Sequence, residues 1–76
     1  MKIKTTLEKV NVAVDEIRAN GGSVRINGTA GSFSIRGVEG RFNFSEGDGV
    51  LTVAIDDKPW LASEEMIEEK VRDFFV

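Results

Sequence analysis

Arg41-Phe42-Asn43-Phe44-Ser45 and Val50-Leu51-Thr52-Val53-Ala54-Ile55-Asp56, joined by Glu46-Gly47-Asp48-Gly49, decide the fold of this chain. In an extended backbone Phe42 and Phe44 fall on one face and Arg41, Asn43 and Ser45 on the other. In the second run Leu51, Val53 and Ile55 alternate with Thr52 and Ala54. A period of two over both runs predicts a β-hairpin with one apolar face. The four residues between them suit a tight reversal, since two glycines and an aspartate tolerate the backbone angles that a turn demands.

Working upstream, the same alternation recurs. Ser32-Phe33-Ser34-Ile35-Arg36 and Ser23-Val24-Arg25-Ile26-Asn27 read as two further strands, with Gly28-Thr29-Ala30-Gly31 and Gly37-Val38-Glu39-Gly40 as the turns between them. Val24, Ile26, Phe33 and Ile35 then share the face of Phe42 and Phe44, and the opposite face stays wet, as in an antiparallel sheet covered on one side. Before the strands, Leu7, Val10, Val14 and Ile17 recur at helical spacing with Ala13 beside them. Thr5 and Glu8 have the spacing of a capping box, and Asn20-Gly21-Gly22 suits the helix end. Val10, Val12 and Val14 also alternate, so a strand competes with the helix at residues 10–14. Lys2-Ile3-Lys4 reads as a short opening strand.

Downstream, Pro59 stops the last strand because it has no N–H to give a ladder. Ser63 is an N-cap with Glu64 and Glu65 in the first turn, and Ile67, Val71, Phe74 and Phe75 repeat at helical spacing. Glu68 and Arg72 are placed for an i, i+4 ion pair. The expected fold is a single α+β domain over residues 1–76, of two layers in the order β-α-β-β-β-β-α, its antiparallel meander covered on one face by both helices.

Composition excludes more functions than it suggests. The 76 residues contain no cysteine and no histidine, which removes disulfides, thiolate nucleophiles, Cys/His metal sites and histidine triads. The net charge is −3, from 10 Lys plus Arg against 13 Asp plus Glu, with the basic residues scattered. Nucleic-acid binding, which needs a concentrated positive footprint, is disfavoured. No apolar run approaches the ~20 residues of a spanning helix, so no integral membrane association is expected and a cytoplasmic location follows by default. Glu64, Glu65, Glu68 and Glu69, with Asp56 and Asp57, offer oxygen ligands or an acid/base pair, but such a run on a terminal helix reads as a solvated face. The glycine-rich turns lack the Lys-Ser/Thr ending of a phosphate loop. No catalytic residue, cofactor or metal is expected, and the chain reads as a non-enzyme.

Four residues fall at the margins of the inferred core: Trp60, Met66, Phe75 and Val76. Trp60 reads first as a plug for the end of the core where the last strand leaves the sheet, and second as an anchor for a partner. Together the four form the expected interaction surface, for a two-fold homodimer or another protein. The exposed sheet edge, either Val24 to Asn27 or the last strand, carries little of the lysine or proline that blunts edges. The alternative function is a module that binds a small apolar ligand between helices and sheet, in a pocket bounded by Val14, Phe42, Phe44 and Phe74.

The run Ile26-Asn27-Gly28, then Phe33-Ser34, Gly37-Val38-Glu39-Gly40, an alternating hairpin, Pro59-Trp60-Leu61 and Ile67-Glu68 opening a terminal helix resembles the small polyhydroxyalkanoic-acid system proteins. These are short bacterial proteins associated with polyester storage granules. The resemblance covers Gly22 to Phe75 and rests on glycine and apolar spacing. It implies a non-catalytic accessory role at a granule, and it supplies no catalytic residues.

Overall fold

The structure is a computed structural model that describes residues 1–73 and 75. In chain order it forms β1 (Lys2–Lys4), α1 (Leu7–Ala19), β2 (Ser23–Asn27), β3 (Ala30–Ile35), β4 (Val38–Ser45), β5 (Val50–Asp57) and α2 (Glu64–Asp73). The strands make one antiparallel sheet in the order β1-β5-β4-β3-β2. This is the β-α-β-β-β-β-α order expected from the sequence. The β4–β5 hairpin pairs Phe42 with Val53 and Phe44 with Leu51, so its apolar residues share one face. Asp56 has no opposite residue, because Gly40 pairs with Ile55 and Glu39 with Asp57; it is the extra residue of a β-bulge.

Three local readings are corrected. Ala30, Gly31 and Val38 to Gly40 belong to strands, and the reversals shrink to Gly28-Thr29 and Arg36-Gly37. Gly31 and Gly40 are needed for space: a methyl group at Gly40 would stand 2.5 Å from Phe33 Cζ, and one at Gly31 2.7 Å from Phe42 Cζ. Each ring lies across the glycine of the neighbouring strand that it faces in register. The cap of α1 is Thr6, whose Oγ1 accepts the Lys9 N–H at 3.3 Å. Thr5 instead gives its N–H to the Gly49 carbonyl at 2.8 Å, extending the strand ladder by one residue and moving the helix start. Finally, β5 is not an edge. β1 covers it and presents Lys2 and Lys4 at the sheet margin, which leaves β2 as the edge free of lysine and proline.

Residues 10–14 are helical, with Val12 turned to solvent at 56% exposure. α1 ends in a Schellman motif: the Gly22 N–H reaches the Ile17 carbonyl at 2.9 Å and the Gly21 N–H reaches Arg18 at 3.3 Å. Gly21 holds the left-handed angle that this closure requires (φ 85°). α2 starts on Ser63, whose Oγ accepts the Met66 N–H at 3.2 Å. Both helices pack on the apolar face around Ile3, Val10, Phe44, Leu51 and Val53, with Phe33, Phe42, Ile55 and Val71 partly buried against them. Among the described residues the most enclosed of these, Leu51, keeps 3% exposure. No described helix is long and apolar enough to cross a membrane.

Candidate functional site

The segment between β5 and α2 folds on itself. The Ala62 N–H donates to the Pro59 carbonyl at 2.9 Å, and Lys58 Nζ donates to the Ala62 carbonyl at 2.7 Å. Such a closed turn puts its two central residues at the tip. Trp60 is 87% exposed and Leu61 78%, with Met66 at 55% one turn into α2. Trp60 therefore does not plug the core. That end of the sheet is met by Pro59, whose Cγ would lie 3.3 Å from a methyl group at Gly37 in the β3–β4 turn. Because the proline ring and Ala62 occupy the junction, the indole is left outside.

A groove of about 280 Å³ runs beside this junction, with Phe33, Ile35, Val38 and Pro59 on one side and Met66, Ile67 and Val71 on the other. Arg36 and Lys70 are its charged walls. Arg36 sits at φ 50° and Gly37 at φ 81°, the two positive angles of a type I′ hairpin turn, where Asn and Gly fit at least cost. Lys70 lies in the last turn of α2, on the same rim.

Behind Val71 the helices and the sheet fail to close. A cavity of about 90 Å³ lies between Val10, Ala13, Val14 and Ile17 of α1, the sheet residues Phe33, Ile35, Phe42, Leu51 and Val53, and Val71 with Phe75. The expected apolar pocket is thus present with Val14 and Phe42 in its wall. Phe44 lies elsewhere, in the central core cluster with Ile3 and Val10. Phe74, the fourth expected wall residue, lies outside the described residues. Phe75 is half-buried against the core, so it belongs to the cavity wall and not to an outer surface with Trp60 and Met66. It is drawn inward because it follows Val71 by four positions and its N–H closes on the Arg72 carbonyl at 2.9 Å. Val76 lies outside the described residues.

Charged chemistry is sparse. Among the described residues the one ion pair is Arg41–Asp56, where Nε and Nη2 reach the carboxylate at 2.9 and 2.8 Å across the open face of the sheet. The hydrogen bond from Asp56 and its charge raise the Arg41 pKa above the ordinary arginine value. The bulge aims Asp56 at Arg41, so the two were legible as a pair only once the register was known. Glu68 and Arg72 do not come within ion-pair distance. No group of three acidic side chains gathers closely enough to hold a metal ion among the described residues.

Comparison of the chain with protein-family models, curated proteins and solved structures finds no match.

Proposed function

We propose that the chain is a non-catalytic interaction domain that docks through the Pro59–Ala62 turn and the first turn of α2. The observation that carries this reading is the exposure of Trp60 and Leu61 at the tip of a turn closed by its own hydrogen bonds, with Met66 exposed in the first turn of the helix that follows. Tryptophan and its neighbours bury large apolar area when covered, and a turn that is already ordered loses little entropy on docking. Isolated exposed apolar residues are ordinary, but here three of the six large exposed hydrophobic side chains among the described residues fall within seven positions.

The resemblance to the polyhydroxyalkanoic-acid system proteins supplies one counterpart, the apolar surface of a polyester granule. A second copy of the chain supplies another: β2 is an edge without lysine or proline, and Ile26 on it is 47% exposed. The test is cosedimentation with polyester particles, together with light scattering from micromolar to millimolar concentration. The parent chain is expected to sediment with the particles or to show a dimer mass; Trp60→Ser with Leu61→Ser should abolish the sedimentation while the melting temperature holds, and Ile26→Lys on the β2 edge should abolish the dimer. A parent that remains monomeric and free of the particles rejects the interaction role.

A further inference from the structure

We infer that the cavity behind Val71 and the adjoining groove form one binding site for an aliphatic carboxylate, its chain in the cavity and its carboxylate on Arg36 and Lys70. The two spaces share Phe33, Ile35 and Val71 as walls, so a chain that enters past Val71 stays in contact with apolar atoms from the groove to the interior. The cavity wall is apolar throughout. Such a hole gives water no partners and favours hydrocarbon over solvent. A volume of about 90 Å³ is roughly three water-sized groups, so the cavity takes the end of the chain, about three carbons, and the groove of about 280 Å³ takes the rest.

The head group is identified by charge. Arg36 and Lys70 are the only charged residues lining either space among the described residues, in a chain whose net charge is −3. Neither has an ion-pair partner among the described residues. Arg36 also occupies a left-handed backbone position that Asn or Gly would fill with less strain. Arginine grips a carboxylate with two parallel hydrogen bonds, and Lys70 adds a second charge. The groove shares Pro59, Ala62 and Met66 with the proposed docking surface, but Trp60 and Leu61 line neither space and Arg36, Lys70 and Ala13 lie outside the turn, so variants at those positions test the two roles independently.

Calorimetric titration of the full chain with octanoate, octan-1-ol and acetate tests it. Octanoate is expected to bind saturably at one site, octan-1-ol about tenfold more weakly for want of a charge-assisted hydrogen bond, and acetate not at all. Arg36→Asn should melt at or above the parent temperature, since asparagine accepts the turn angle, yet bind octanoate no better than the alcohol; Lys70→Gln should weaken octanoate in the same sense. Ala13→Leu, which fills the cavity, should abolish binding of both long-chain probes. If that variant does not fold, octanoate-induced NMR shifts at Val14, Phe42 and Val71 of the parent take its place, and their absence counts against the site. Failure of octanoate to saturate by low millimolar concentration, equal affinity for acid and alcohol, or undiminished binding in folded Ala13→Leu would each overturn the assignment.

Discussion

α1 and α2 rest on the same sheet face, yet α1 sinks Val10, Ala13 and Val14 into the core while α2 sinks Ile67 alone among the described residues. α1 is also closed at both ends, by the Thr6 hydroxyl and by the Schellman turn at Gly21. α2 is fixed at its start by Ser63 and arrives through a turn that leaves Trp60 and Leu61 in solvent. The difference lies in packing, since both helices carry acids in the first turn and bases in the last. A helix held by one buried residue lifts at lower cost than one held by three, so local opening should concentrate at α2, which walls the groove and, through Val71, closes the cavity against α1 and the sheet. Stability belongs to the α1 side, and binding belongs to the α2 side.

The largest effect should come from the residue on which the α1 side converges. Phe44 is 5% exposed and sits with Ile3, Val10, Leu51 and Val53. Phe44→Ala should cost ~3 to 5 kcal/mol, much of what a domain of this size has, and denaturant melts should find it largely unfolded at room temperature. A melt within a few degrees of the parent would place the anchor of the fold elsewhere.

Next come the glycines, which also show where sequence stops being legible. Alternation located the strands because one buried face imposes a period of two on each, and a helical period with caps located both helices. Gly31 and Gly40 were taken for turn residues, since glycine in sequence marks reversals. Their actual constraint comes from the neighbouring strands, the Arg25 carbonyl and the Phe42 ring at Gly31 and the Phe33 ring and the Ala54 carbonyl at Gly40, which depends on register and is invisible along the chain. Gly40→Ala should cost ~1 to 3 kcal/mol by forcing the Phe33 ring off its seat and pressing on the Ala54 carbonyl of β5, a loss measurable by urea denaturation. Trp60 was misplaced for a related reason: whether an indole plugs a core or leaves it depends on how the next helix lands. The cavity was legible only as an alternative, since its walls come from five elements spread along the sequence.

A matched pair of truncations measures the helix contrast directly. Val14 is 6% exposed on α1, and Val71 is half-buried on α2. Val14→Ala should cost about 2 kcal/mol and Val71→Ala about half as much, in proportion to the apolar area that each removes from contact. Equal costs would mean that α2 is held as firmly as α1. Amide exchange offers a second view, with faster exchange expected along Glu68 to Arg72 than along Val10 to Asp15.

The smallest effect on folding should come from the most conspicuous side chain. Trp60 keeps 87% of its surface in water, so Trp60→Ser removes almost no area that folding buries, and the turn around it is closed by backbone and lysine hydrogen bonds that the change leaves alone. Surface substitutions of this kind stay within about 0.5 kcal/mol. The parent and the variant should therefore share a urea midpoint at micromolar concentration, where association adds little. At higher concentration the two should separate if Trp60 is an intermolecular anchor, because a contact made only between folded chains stabilises the parent by mass action and cannot stabilise the variant. A midpoint lowered by the substitution at every concentration would mean that the indole is buried within its own chain, and the division between a stable α1 side and a binding α2 side would fail at its most exposed point.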